Sequence, residues 1–314
     1  MGGCTMSSRR KFIRNLAGVS AAMTFVDWPK ELFADDDFAH LTILHTNDIH
    51  CHIDPFPEND PVYPGQGGLA RMSATINRIR DEEKNVLLLD AGDMFQGTPY
   101  FNYYKGELIL KVMSKMGYDA STLGNHEFDN GIEGIENHID YANFPLVNSN
   151  YDFSNTLLFD RFPKYVIFRK KGIKVGVYGL GIELDGLVSK KNYKETIYND
   201  PVKVALQQEE FLKKEKKCDL VICLSHLGLE YDEPKICDKL LAPQTHHTDL
   251  IIGGHTHTFL DAPLELKNAD GKRIIVNQVG WAGLMLGRID FIFNKNKKDD
   301  LRVAAWNLNP TTLA

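Results

Sequence analysis

The sequence predicts an α/β fold in one domain: a layered, largely parallel sheet with an antiparallel tail. Three observations carry this. Short apolar runs, NVLLLD (85–90), CDLVICLS (218–225) and TDLIIG (248–253), lack the in–out alternation of a half-exposed strand, as strands covered on both faces do. Segments with helical apolar spacing stand between them. The last part of the chain turns to short strands, near PLELK, KRIIVNQV, LGRIDFIF and RVAAWNL, with hairpin-like turns. Alternating strands and helices are the pattern of a layered α/β domain.

The elements follow in order. LTILHT (41–46), apolar at Leu41, Ile43 and Leu44, predicts the first strand. PFPENDPVYPGQGG (55–68), rich in proline and glycine, predicts a loop. In LARMSATINRIRDEEK (69–84), Leu69, Met72, Ile76 and Ile79 share one helical face. NVLLLDAGD is a buried strand that ends in Asp90 and Asp93, and GELILKVMSKMGYDAST (106–122) is a helix leading into a strand start. YANFPLVNSN (141–150) predicts a strand, and YVIFRKKGIKVGVYGLG (165–181) predicts two strands about a Lys171–Gly172 turn. DPVKVALQQEEFLKKEKK (200–217) is an amphipathic helix before the strand that ends at His226.

Composition narrows the function. The 314 residues are 43% hydrophobic and 25% charged, ordinary for a globular domain, and the net charge of −6 offers no basic footprint for a nucleic-acid polymer. Cys4, Cys51, Cys218, Cys223 and Cys237 form no disulfide or CxxC framework. Cys218 and Cys223, five apart in an expected strand, should point to opposite faces, so free buried thiols are expected.

Residues 1–34 stand apart from the fold. Ser8, Arg9, Arg10, Phe12 and Ile13, followed by a modest apolar run from Leu16 to Val26, resemble a twin-arginine export signal. Met6 is a plausible start, and cleavage is expected near Ala34. The run is too short for a comfortable membrane span, so no span is expected in the mature protein, and a retained leader would make a tether. Residues 35–40, DDDFAH, are expected to be a linker to a domain at 41–314. Export would place the protein in the periplasm or another extracytoplasmic space, already folded.

Five strands end in ligand-type residues: Asp48 and His50, Asp93, Asn125 and His126, His226, and His255 and His257. In an open α/β sheet the carboxyl ends of the strands collect ligands, so five such loops could share one crevice. Imidazole, carboxylate and amide ligands without thiolate suit Zn²⁺, Mn²⁺, Co²⁺ or Fe²⁺ better than Ca²⁺ or Mg²⁺.

NDIH, GD, GNHE, SHLG and GGHTH resemble the five signature blocks of the calcineurin-like metallophosphoesterases. HTNDIHCH, GGLAR and GNHEFDNG are more like the 5′-nucleotidase branch, and the resemblance covers about residues 41–293. It implies a four-layer α/β/β/α sandwich with two facing mixed β-sheets and a dinuclear metal centre. It further implies one divalent ion on Asp48, His50 and His257, a second on Asn125, His226 and His255, and Asp93 bridging them. Two metals about 3.5–4 Å apart can generate a hydroxide and stabilise both oxygens of an in-line displacement. His126 and Asp129 would form a catalytic dyad, with Asn125, His126 and Arg71 near the substrate phosphate.

Other residues take plainer roles. His52 is expected to support ligands, Asn47 to fix its turn, Glu127 to accept structural hydrogen bonds, and Cys51 to fill buried space. His246 and His247 are expected at the surface. Arg71 has two readings, reaching the anion or pairing with a carboxylate. Tyr100, Phe101, Tyr103 and Tyr104 either begin a packed helix or border a substrate pocket. Secreted 5′-nucleotidases add a C-terminal domain that stacks the nucleobase, and no room for one is expected here. The expected function is thus an exported, metal-dependent phosphohydrolase acting on phosphate monoesters such as nucleotides. The alternatives are a catalytic subunit or metal-binding module that needs a separate substrate-domain chain, or a hydrolase of cyclic phosphodiesters, nucleotide sugars or sulfur esters.

Overall fold

Leu41 and Ile43 project from one face of the first strand and Leu44 from the other, and all three are fully buried, so the strand must be covered twice. The structure is a computed structural model that describes residues 38–294, 296 and 301–313. The twin-arginine stretch, residues 35–37 and Cys4 lie outside the described residues.

Strands β1 (Phe38–Thr46) and β2 (Val86–Asp90) pair in parallel. Late in the chain, β11 (Leu286–Asn294) and β12 (Leu301–Leu308) add to β1 in antiparallel order, giving a mixed sheet β12-β11-β1-β2. The second sheet runs β4-β5-β7-β8-β10-β9. It is built from β4 (Tyr165–Lys170), β5 (Ile173–Leu180), β7 (Leu220–Ser225), β8 (Leu250–Gly253), β9 (Leu264–Lys267) and β10 (Arg273–Asn277). Its centre, β5-β7-β8-β10, is parallel, and β4 and β9 close its edges in antiparallel fashion. A short pair, β3 (Tyr151–Asp152) and β6 (Ile197–Tyr198), stands apart.

The two sheets face each other. Leu41, Ile43, Leu87 and Leu89 of the first pack with Val175, Val177, Ile222, Leu224 and Ile252 of the second in one buried cluster. Each such aliphatic side chain contributes about 1.5–3 kcal/mol by leaving water. The outer face of the first sheet is covered by α1 (Leu69–Glu82), α2 (Pro99–Tyr104), α3 (Glu107–Met116) and α4 (Gly131–His138). The outer face of the second packs on α6 (Pro201–Glu210), which follows a short α5 (Lys190–Tyr193), and on α7 (Asp238–Leu241). A last turn, α8 (Pro310–Leu313), closes the chain. The result is the expected four-layer sandwich. Because β1, β2, β7 and β8 run in parallel pairs within their sheets, their carboxyl ends reach one edge of it.

Three local expectations are corrected. Phe38–His40, assigned to the linker, pair with Ile292–Asn294, so the strand starts earlier than its apolar run. Residues 141–150 form no regular strand, only a single bridge of Leu146 to Ser121. Pro145 has no N–H to extend a ladder, and Asn148 and Asn150 turn their amide oxygens on the main-chain N–H of Tyr151 and Gly181. Cys218 precedes β7, so strand alternation does not apply to it. It shares one buried cluster with Cys223, and both thiols are free, as are those of Cys51 and Cys237.

Candidate metal centre

The turn after β1 carries Asp48, His50 and Cys51 at φ between +50° and +52°. Asp93 (+55°), His255 (+72°) and His257 (+50°) adopt the same left-handed conformation. Side chains avoid this region unless the surroundings impose it, and such strain concentrates at functional sites. Five of the seven residues expected to hold metal share it. Glycines allow the turns to close: a Cβ on Gly124 would sit 2.1 Å from Asp93 Oδ1, and one on Gly254 would sit 2.9 Å from His226 Nδ1.

The turns converge. Asp48, His50 and His257 form one group that could hold a metal ion, and Asp93, His226 and His255 form a second. In the first, His50 Nε2 lies 2.9 Å from His257 Nε2, and His257 Nε2 lies 3.5 Å from Asp48 Oδ1. In the second, His226 Nε2 lies 2.9 Å from Asp93 Oδ2, and His255 Nδ1 lies 2.8 Å from Asn125 Oδ1. The groups adjoin: His50 Nε2 is 3.9 Å from Asp93 Oδ2, and His226 Nε2 is 3.9 Å from Asp48 Oδ1.

Main-chain groups aim these side chains. His50 Nδ1 is 3.1 Å from Phe95 O and His226 Nδ1 is 2.7 Å from Ala91 O. A carbonyl can only accept, so both Nδ1 atoms carry a proton, and both Nε2 atoms are the ones turned inward, where an ion would take the place of any proton on them. The His255 N–H donates to both oxygens of Asp48 at 3.0 Å. Glu127 accepts from the N–H groups of Asp93, Met94, Phe95 and Gly124, which ties the Asp93 turn to the Asn125 turn, as its structural reading expected. Asn47 clamps the loop after β10: Nδ2 donates to Gly280 O and Oδ1 accepts from Val279 N.

Protonation follows burial and charge. Burial holds His50 below the usual imidazole range and His255 down at about 4. Burial also works against His226, yet the Asp93 carboxylate outweighs it and lifts the ring to about 10. Burial opposes ionisation of Asp93, and the His226 charge reverses this, holding its carboxyl well below the carboxylate range. His126, at the edge, places Nδ1 2.8 Å from Asp129 Oδ2, and its N–H donates to Asp93 Oδ1 at 2.8 Å. Burial would lower it, but Asp129 and Asp93 raise it to about 9.

A model of the family Metallophos, calcineurin-like phosphoesterase, matches residues 41–259. The chain belongs to this family. Among curated proteins it is similar to the trifunctional nucleotide phosphoesterase protein YfkN of Bacillus subtilis, 34% identical over 83% of this chain and 18% of that protein. It is also similar to the 5′-nucleotidase of Homo sapiens, 34% identical over 81% of this chain and 47% of that protein. The chain therefore spans about half or less of the length of these relatives. Among solved structures, a 5′-nucleotidase precursor from Thermus thermophilus superposes with a TM-score of 0.78 at 32% identity, over 86% of this chain and 54% of that one. The calcineurin-like phosphoesterase YfkN from Bacillus subtilis gives 0.73 at 28% identity, over 88% and 92%.

Membership of the calcineurin-like phosphoesterases implies divalent metal ions, and the donors fit them. His226 Nε2 is fully buried and makes no hydrogen bond, although it faces a carboxylate. His50 and His257 bring their Nε2 atoms to 2.9 Å of each other beside the Asp48 carboxylate, close enough for one cation to take both. The donor set is nitrogen and oxygen without thiolate. Cys51, buried and pushed up to about 12 by burial, is no nucleophile.

Outlying residues sort differently. Arg71 donates to the carbonyls of Gly65 (2.5 Å) and Gly67 (3.3 Å), bracing the proline-rich loop, and among the described residues it pairs with no carboxylate. His52 makes no contact with a ligand carboxylate and stacks on Phe56 instead. His246 is exposed and pairs with Asp270. The aromatic run after Thr98 shows both of its readings: Phe101 is buried in the core, and Tyr100, Tyr103 and Tyr104 line an open cleft of about 570 Å³ with Asp54 and Pro99. Sequence reasoning passed over Trp281, whose ring lies parallel to that of His257. It sits in a loop without a motif, and only the GG of GGHTH and the glycines flanking Trp281 hinted at close loop packing.

Proposed function

We propose that the protein hydrolyses phosphate monoesters, with 5′-nucleotides as the substrate class, at a dinuclear metal centre. The observation that carries this is the adjacency of the two donor groups and of the His126–Asp129 pair at one edge of the sandwich. Asp48, His50 and His257 would hold one ion and Asn125, His226 and His255 the other, with Asp93 between the two groups and able to serve both. When bound, two such ions, of Zn²⁺, Mn²⁺, Co²⁺ or Fe²⁺, supply the nucleophile at neutral pH and neutralise charge on the phosphoryl group.

The chain's own residues do the rest. Asp93 Oδ1 accepts the His126 N–H, so the edge imidazole is registered to the metal-holding turn. Asp129 takes the Nδ1 proton of His126 in a hydrogen bond and stabilises the imidazolium, and Asn192 fixes the Asp129 main chain at 3.0 Å. Among the described residues Nε2 of His126 has no hydrogen-bond partner, so it is the atom free to protonate the leaving oxygen. A group of this kind contributes about 10²–10⁴ in rate. Uncatalysed phosphate-monoester hydrolysis needs accelerations up to ~10²¹, so the ions carry most of the barrier.

Nucleotide specificity is supported by relatives named for nucleotide hydrolysis, including an NAD nucleotidase of Haemophilus influenzae that superposes at 26% identity. Product formation from AMP and p-nitrophenyl phosphate (inorganic phosphate) and from a nucleotide sugar and 2′,3′-cyclic AMP (the phosphomonoester products), with His126→Asn as control, tests the reading. Mutant-sensitive turnover of AMP is expected. Turnover confined to the aryl phosphate would give the base-recognising surface to a separate chain, and preference for the cyclic or sugar substrate would replace the monoester reading.

The reading includes export through the twin-arginine leader. Among the described residues no helix is long and apolar enough to cross a membrane. Residues 1–40 fused to a reporter should deliver it outside the cytoplasm, and Arg9→Lys with Arg10→Lys should stop delivery.

A further inference from the structure

We infer that Trp281 positions His257 by ring stacking and thereby sets the affinity of the ion held by Asp48, His50 and His257. The inference rests on that ligand assignment.

A ligand imidazole must be fixed in ring plane and direction for its lone pair to meet the ion, and a hydrogen bond on the second nitrogen usually does this. His50 and His226 have such bonds to Phe95 O and Ala91 O. His255 is tied through Asn125 and through its own N–H on Asp48. His257 differs from all three. Among the described residues its Nδ1 has no hydrogen-bond partner, and its side chain is 39% exposed where those of His50 and His226 are 4% and 0%. What it has is the indole of Trp281, parallel to within 2° at a centroid distance of 5.4 Å, within the range of offset stacking.

Trp281 is itself held. His52, Phe56 and Tyr63 meet its face or edge at 5.1, 5.9 and 6.5 Å. The Ala282 N–H donates to Asp48 O at 2.8 Å, and Asn47 grips Val279 and Gly280 on the other side. The indole plane is thus registered to the turn that presents the Asp48 carboxylate. One rigid unit places both the carboxylate and, through stacking, the imidazole of the same group.

The test titrates the full-length apoprotein with Co²⁺, following heat and visible absorption. The wild type should show two binding events, one of which His257→Ala removes. Trp281→Leu, which fills space without a flat ring, should weaken that event roughly tenfold and leave the other within about twofold. Trp281→Phe should restore most of the loss, because a ring can still stack. Trp281→Leu added to His257→Ala should change the remaining event no further. Equal weakening of both events by Trp281→Leu, or by Trp281→Phe as much as by Leu, would reduce Trp281 to a prop for its loop and overturn the proposal. A wild type with one event, or one in which His257→Ala leaves both intact, would remove the ligand assignment and the proposal with it; that failure is visible before any Trp281 variant is made.

Discussion

The two ends of β1 both bring histidine against carboxylates, and they do so to opposite effect. At the start, His40 Nδ1 meets Glu83 at 3.1 Å and Nε2 meets Asp290 at 3.0 Å. Arg288 completes the cluster with Nη2 on Glu83 and Nε on Asp290, and Thr42 donates to Asp290 at 2.5 Å. Every charge there faces an opposite charge or a donor, and no residue of the cluster has a left-handed backbone. At the finish, His226 Nε2 faces a carboxylate without a hydrogen bond, and the Nε2 atoms of His50 and His257 converge beside Asp48, on a strained main chain. Mutual satisfaction marks a structural cluster; convergence without satisfaction marks a site built for an ion that is not protein. Residue composition alone does not separate the two.

Substitutions can break this comparison. The largest effect should come from Asp93→Asn, which weakens both donor groups at once: metal content and turnover should disappear together, read by elemental analysis and phosphate release. A variant that kept two ions would deny Asp93 its bridging place. Next comes His126→Asn, expected to keep both ions and lose about 10²–10⁴ in turnover of an alkyl phosphate. The loss should be smaller for an aryl phosphate, whose leaving group needs no proton. Equal retention on both substrates would remove His126 from proton transfer.

The opposite end predicts stability, not activity. Burial works against the His40 charge, but Asp290 and Glu83 raise its pKa from 6.5 to about 9. The folded form therefore holds the proton more tightly than the unfolded chain. The resulting stabilisation is full below about pH 6.5 and is lost as pH rises through about 9. It is on the order of 2–3 kcal/mol. Denaturant midpoints at pH 6 and 9.5 should differ in the wild type and converge in His40→Gln, with activity at pH 6 retained. Unchanged pH dependence in His40→Gln would show that the cluster is not what titrates.

The smallest effect sharpens the boundary between support and site. Glu127→Gln swaps one acceptor oxygen for an NH₂ group inside a ring of four N–H donors. It should cost about 1–3 kcal/mol in stability. Restored folding at low temperature should bring back metal binding, which loss of a true ligand would not allow.

The strands and the order of the ligand loops were legible because burial on both faces leaves a local signature and a polar strand end interrupts it sharply. What stayed hidden depends on contacts between distant segments. The early start of β1 rests on pairing with Ile292–Asn294, some 250 residues away, and that pairing brings His40 to Asp290. The missing strand at 141–150 turns on Pro145 and two asparagines whose side chains compete with the ladder, a balance that apolar spacing does not report. Arg71 meets the carbonyls of Gly65 and Gly67 because the proline-rich loop folds back on α1, a contact that residue spacing does not report. Trp281 acquires meaning only when the loop after β10 is laid against Asp48.

The most direct test of the account is the number of metal ions that the folded, metal-reconstituted chain retains after gel filtration, measured beside Asp93→Asn. Two ions per wild-type chain and none in the variant is the predicted result. A single ion in the wild type, or two in both proteins, would contradict a dinuclear centre bridged by Asp93.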